Sequence, residues 1–408
     1  MLLMETARDL KHPAFIPDPH TVYLRLRTEE PIHWNPSLRG WVITRYSDLS
    51  SILKNPSFSV AALQPFLGHV GIDSRRKTER VSAVLADWMV LNDPPQHGRL
   101  RKALAKYFLP QEIAGLRPMI LSRVEELING FRGRNQVDFI QAFAFPLPAR
   151  VISEPFGVSP ERVEDLGEWS EDLKDFVALA RSSPDKYDRA KKAVEDMAAF
   201  FRETLRDHSR NPRDDFTGRL LEAGAGPEGL SEDEMVAKLV LLLFAGHETR
   251  ASLLANGLSW LLRCPASMEK LRLNPSLIPG AVEEMLQYVG PAQPVTRIAA
   301  EKMRLADANV RQGDRVFLAL NSAARDSSVF PEPNSFKIGR NSNRHMAFGL
   351  GIHFCLGAPL ARLEAQIAFD RLLSRLSRIQ LETPQPDWHD ELVTRSMERL
   401  FISYDMAM

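Results

Sequence analysis

The chain has 408 residues, 52 Lys+Arg against 52 Asp+Glu, a formal net charge of zero and 44% hydrophobic residues, the composition of a folded globular protein. Such a charge balance gives no general attraction to phosphate backbones or anionic lipid, so neither nucleic acid nor a membrane surface is an expected partner. Two cysteines, Cys264 and Cys355, are too few for a disulfide framework or a thiolate zinc site, and any cysteine chemistry must rest on one sulfur.

In chain order, MLLMETARDLKHPAF meets Glu5, Arg8 and Asp9 before any apolar stretch reaches the length of a signal peptide or membrane anchor. A cytoplasmic protein without an anchor is expected. PIHW and GWVIT then flank a Pro/Ser/Gly turn at Asn35 to Gly40, which predicts a hairpin with a longer loop. Helical spacing dominates the middle of the chain. Segment 209–231, through SRNPRDD and AGAGPEG, reads as an exposed connection. Ser231 and Glu234 make a capping-box pattern, and no proline follows until Pro265, so one helix of about 45 Å can cross the molecule. Its first half, MVAKLVLLLF, is apolar on most sides and must be buried. Cys264, in LLRCPAS at a helix end, reads as structural. Strand-like alternation near 31–45, 295–320 and 398–404 completes a fold that is mainly α with a smaller β part. No linker divides it, so 1–408 is read as one domain.

The sharpest signal is FGLGIHFCLG, Phe348 to Gly357, leading into Ala358, Pro359 and a helix with Leu360, Leu363 and Ile367 on one face. Three glycines permit positive φ and close approach to a bulky neighbour, and Pro359 suits a first helical turn. Unpaired N–H groups and the positive helix end should lower the pKa of Cys355 and hold it as a thiolate able to ligate a metal.

This ten-residue pattern resembles the haem-thiolate signature of the cytochrome P450 family. The resemblance implies the P450 fold, with the long central helix over haem b (iron protoporphyrin IX) and Cys355 as proximal iron ligand beside Phe348, Gly349 and His353. A thiolate ligand favours O–O cleavage. AGHET, Ala245 to Thr249, is similar to the family's oxygen-activation motif. There Ala245 lets a flat cofactor approach, the Thr249 hydroxyl bonds back to the i−4 carbonyl, and Glu248 with Thr249 relays protons. His97 and Arg101, four apart in NDPPQHGRLRKALAK, match the family's propionate-binding pair, and Arg297 and His353 match the others. On another face of that helix Arg99, Lys102 and Lys106 either dock an acidic electron donor or are simply solvated.

Two positions depart from the family. Gln287 in AVEEMLQY stands where the family's Glu-x-x-Arg has arginine, and Ser335 stands where a second arginine is usual. Glu284 then needs another partner, expected to be Gln287 by hydrogen bond with Arg340 or Arg344 as the cation. Arg250 replaces a small hydroxyl residue and should face away from the haem. The implied activity is a monooxygenase that hydroxylates or epoxidises a small hydrophobic substrate. Electrons would come from a ferredoxin or flavodoxin with its reductase, since no dinucleotide fingerprint is present. By resemblance Phe66 to Val90, Leu173 to Leu179, Phe244 and Ala292 to Val295 line the substrate pocket. A terpenoid, fatty acid, steroid or polyketide would suit it. A monomer is expected. The alternatives are an H2O2-driven peroxygenase and a noncatalytic haem sensor or carrier.

Overall fold

A computed structural model describes residues 8–12, 15–61, 72–177, 183, 185–225, 229–340, 343–382 and 385–407. Residues 66–71 and 178–179 of the expected pocket lining lie outside them. The chain is mainly helical. A five-stranded sheet of order β1-β2-β8-β5-β3 joins β1 (Ile32–Asn35), β2 (Gly40–Ile43), β3 (Phe58–Ser59), β5 (Pro294–Ala299) and β8 (Arg315–Ala319). β4 (Gln136–Asp138), β9 (Leu376–Leu381) and β10 (Phe401–Met406) form a second sheet, and β6 (Met303–Leu305) with β7 (Ala308–Val310) a third. The expected hairpin is β1–β2, with Ile32 opposite Ile43 and Asn35 opposite Gly40. A Cβ at Gly40 would come within 2.7 Å of the Phe317 ring and 2.8 Å of the Arg315 carbonyl, so the parallel β2–β8 pairing requires glycine there.

The long helix runs Glu232–Leu262, 31 residues, with both arms of the Ser231/Glu234 capping box formed. It joins two large apolar clusters. Met235 to Leu243 pack with the helices Val163–Val177 and Lys186–Arg210, whereas Leu253 to Leu261 pack with Arg117–Asn129, Ile278–Val289 and Ala358–Arg375. The stretch between the two clusters is AGHET. A helix that must bury opposite ends in separate cores is held at both ends, which leaves its middle turn as the place where a cleft can open.

The expected connection at 209–231 is corrected by a helix at Phe216–Gly224. Asp215 caps it by accepting from the Gly218 N–H at 2.9 Å, and Phe216 and Leu220 bury on one face. Its Asn-, Pro- and Gly-rich flanks mask so short a signal. The strands β3, β4 and β9 also lie outside the three strand-like runs, because two or three residues cannot show a period and β9 follows the preceding helix without a break.

Candidate functional site

The cysteine loop takes the shape that its glycines permit at two of three positions. Gly349 and Gly351 have φ of +70° and +74°, and a Cβ at Gly351 would meet the Leu53 carbonyl at 2.7 Å. Gly357 instead caps the helix Ala358–Arg375 at φ −80°, with nothing within 4 Å of where its Cβ would sit. The Cys355 N–H donates to the Phe348 carbonyl at 2.9 Å, which closes the loop. The N–H groups of Gly357 and Ala358 reach the sulfur, as expected. The expected lowering of the thiol's pKa is corrected: although the residue is exposed, desolvation by the protein gathered around its sulfur pushes it up and outweighs these N–H groups together with Arg101 and Arg362. Cys264 begins the helix Pro265–Leu273 and is half-buried.

On the long helix, Ala245 and Thr249 are exposed although its neighbouring turns are buried on every side. Being four apart, they form one stripe. The Thr249 hydroxyl donates to the Ala245 carbonyl at 2.8 Å, the backward bond that a mid-helix threonine can make. Phe244 stacks on Trp88, ring centroids 5.7 Å apart, while Val295 and Ala292 are half-buried and Leu173 is fully buried.

Four basic groups gather beside the cysteine loop. The His97 and His353 rings lie 4.1 Å apart, and Arg101 donates to the Phe354 carbonyl at 2.7 Å. Arg297 is buried in β5, and its charge, like that of His97 and Arg101, acts on His353. Burial and this crowding push His353 down to about 4, and burial then Arg101 lower His97. Asp93 opposes them in part. The buried His97 Nε2 has no partner among the described residues. Such a set is unfavourable alone and suits a dianion. On the other face of that helix Arg99 is tied to Glu234 at the foot of the long helix, so of the expected basic face only Lys102 and Lys106 are exposed.

Glu248 is buried in company that its sequence neighbours do not reveal. Lys174, with a side chain 3% exposed, lies 2.6 Å from Glu171, 3.6 Å from Glu391 and 3.9 Å from Glu248. Burial pushes Glu248 up to about 8, Lys174 working against that and Glu171 and Glu391 with it. Burial likewise raises Glu391 to about 7, and the three carboxylates together overcome burial to raise the Lys174 ammonium. No spacing in the sequence could have found this cluster, since its members come from three distant segments; Lys174 at helical spacing from Leu166 and Ser170 and next to Leu173 was the one available hint.

A sequence model described as Cytochrome P450 matches residues 172–398. Cytochrome P450 107B1 of Saccharopolyspora erythraea is 39% identical over 395 residues, 95% of each chain. The chain belongs to the cytochrome P450 family. The biotin biosynthesis cytochrome P450 of Bacillus subtilis is 35% identical, covering 98% of this chain and 100% of that protein. The crystal structure of P450BioI in complex with hexadec-9Z-enoic acid ligated acyl carrier protein superposes with a TM-score of 0.89 at 34% identity, over 96% of this chain and 99% of that one. The protein is therefore a haem-thiolate monooxygenase whose cofactor is haem b. Its residues fit that group: a sulfur with N–H donors, an exposed small-residue stripe on the long helix, and four basic groups of the kind two propionates need.

The P450 departures resolve differently from the expectation. Glu284, 0% exposed, accepts from the Lys337 N–H at 2.7 Å and from Arg340 Nε and Nη2 at 2.8 and 3.0 Å. Arg340 is the cation; Arg344 is not. Gln287 does not bond Glu284 but donates to the Ala324 carbonyl at 3.0 Å, because Arg340 and Lys337 already occupy both carboxylate oxygens. Arg340 also donates to the Ser335 carbonyl at 2.9 Å, so it spans the position where the family's second arginine would stand. The shorter Gln287 borders a cavity of about 400 Å³ together with Asn256, Trp260 and Arg325.

Proposed function

We propose that the 408 residues work as one P450 domain that oxygenates a hydrophobic acyl-type substrate with O2 and two electrons from a separate ferredoxin or flavodoxin and its reductase. The balance is one substrate C–H, or one double bond, with O2, two electrons and two protons, giving the hydroxylated or epoxidised product and water. The observation that carries the reading is the pairing of an exposed Ala245/Thr249 stripe on a buried helix with the sulfur of Cys355 in its glycine loop. When bound, haem supplies oxygen activation, with Cys355 as its ligand. His97, Arg101, Arg297 and His353 hold its propionates, Phe348 and Gly349 support the sulfur side, and Ala245 leaves room for the ring.

The chain's own contribution is proton handling and exclusion of water. Glu248, pushed up to about 8 by burial, keeps a proton at neutral pH that an exposed glutamate would have lost. Glu171, whose side chain is 42% exposed, links Lys174 to solvent, so protons can be replaced from outside. Thr249, adjacent to Glu248, presents its hydroxyl on the stripe that faces the site. Trp88 and Phe244 supply an apolar wall that keeps bulk water away. An acyl substrate is supported by this wall and by the relative solved with a fatty acyl chain on its carrier protein. Lys102 and Lys106 offer a basic surface to an acidic electron donor.

The absorption spectrum of the reduced protein with carbon monoxide tests the sulfur ligand: the thiolate-type band is expected, and its replacement in Cys355→His by a histidine-type band. Nitrogen coordination in the parent would overturn the assignment. Spin-state shifts should appear with fatty acids or acyl carrier conjugates; shifts with only highly charged compounds would defeat the substrate reading. Turnover with peroxide alone, without a reductant, would favour the peroxygenase. Thr249→Ala should leak peroxide and lose product, whereas a sensor would show unchanged NAD(P)H consumption.

A further inference from the structure

Arg250 is a long charged side chain at a position that resembles one usually held by a small hydroxyl residue, and the proton chemistry makes no use of it. It lies one residue beyond Thr249, about 100° round the helix, and is 4% exposed. Its guanidinium makes three bonds to three elements. Nε donates to the Gly246 carbonyl of its own helix, Nη1 pairs with Glu364 Oε2, and Nη2 donates to the Pro148 carbonyl at 3.2 Å. Glu364, 1% exposed, belongs to the helix that begins behind Cys355. Pro148 belongs to the helix Pro146–Ser153. Gly246 makes the room: a Cβ there would lie 3.4 Å from Arg250 Nη2 and 3.6 Å from Ile152.

Consecutive carbonyls of the long helix thus take side-chain donors from four residues ahead, Ala245 from Thr249 and Gly246 from Arg250. A carbonyl shared in this way tilts from the helix axis and loosens the turn. The Thr249 bond stays within its own helix, and His247 Nε2 holds the same turn to the Phe145 carbonyl at 2.9 Å. Arg250 ties it to the cysteine-side helix.

We propose that Arg250 is a positioning residue: through Gly246 and Glu364 it fixes the turn bearing Thr249 relative to the Cys355 helix, and so sets the width of the space in which oxygen is reduced. This rests on the reading of Thr249 and Cys355 as the two sides of the haem. The guanidinium fork is what allows it, because its donors leave three separate nitrogens towards three acceptors, whereas the three N–H groups of a lysine all radiate from one atom.

The test uses holoenzyme. Arg250→Ala would leave the buried Glu364 without its cation, so a folding failure is avoided with the double variant Arg250→Met/Glu364→Met, which removes both groups at similar volume, and with Arg250→Lys. Both should keep haem and the thiolate-type spectrum. In both, the carbon monoxide stretching band should broaden and shift, amide exchange across 245–250 should quicken, and product per electron pair should fall roughly tenfold as peroxide rises. A double variant with the parent's band and coupling overturns the proposal. So does an Arg250→Lys that matches the parent, since charge alone would then suffice. Thr249→Ala in the same assays separates the two levels: if it too leaves coupling unchanged, the reading of the oxygen side has failed and the proposal falls with it.

Discussion

Two buried carboxylate sites in this P450 are solved in opposite ways. At Glu284 one carboxylate meets one arginine and one backbone N–H, and both of its oxygens are bonded. At Glu248 one lysine faces three carboxylates at 2.6 to 3.9 Å, and Glu391 Oε1, 3.6 Å from that lysine, is too far for a hydrogen bond. The first arrangement is balanced, one cation to one anion. In the second, four ionisable groups cannot all be charged in a dry interior, so protons must be shared. The two sites thus differ in stoichiometry rather than in residue type.

The comparison breaks most visibly at Arg340. Arg340→Met leaves the Glu284 charge buried with one donor and should cost about 3–5 kcal/mol in urea unfolding, with much of it regained in Arg340→Met/Glu284→Gln. Lys174→Met should be milder, because its three carboxylates can protonate instead. Glu248 and Glu391, already raised, would rise further and Glu171 would lose the cation that lowers it, so the penalty should grow with pH and be about 1 kcal/mol larger at pH 8 than at pH 6 in the same assay. For Glu248→Gln the sign follows from a folded pKa near 8 against an ordinary value of 4.5. Between those values the folded parent holds a proton that the unfolded chain has released, so parent stability falls as pH rises from about 5 to about 8. The glutamine variant lacks that slope and should gain relative to the parent across the window, read from paired melts. Smallest is Gln287→Ala, which loses only the bond to the Ala324 carbonyl: about 1 kcal/mol, with haem retention unchanged. A loss as large as that of Arg340→Met would mean that Gln287 serves Glu284 after all.

What could be read in advance was local. The capping box and the proline-free run announced Glu232–Leu262, and glycine's freedom announced Gly349 and Gly351, because those signals act within a turn or two of chain. Asp215 capping the Phe216 helix was equally local but was outweighed by its flanks. The partner of Glu284 was half legible. Gln287, three residues on, was near enough to be expected, yet Arg340 from 56 residues away took the carboxylate. The thiol of Cys355 failed for another reason: helix end and N–H groups were visible in the sequence, but the desolvation by protein gathered round an otherwise open sulfur was not.

The amino-acid sequence by itself settled the helix-rich fold, the cysteine loop and the threonine turn, since backbone freedom, capping and periodicity depend on neighbours along the chain. Which charges meet, namely Arg340 with Glu284, Lys174 with Glu248 and Glu391, and Arg250 with Glu364, was decided only when packing brought distant segments together. Coulomb attraction and desolvation depend on distance through space and on burial, and neither is a property of position in the chain.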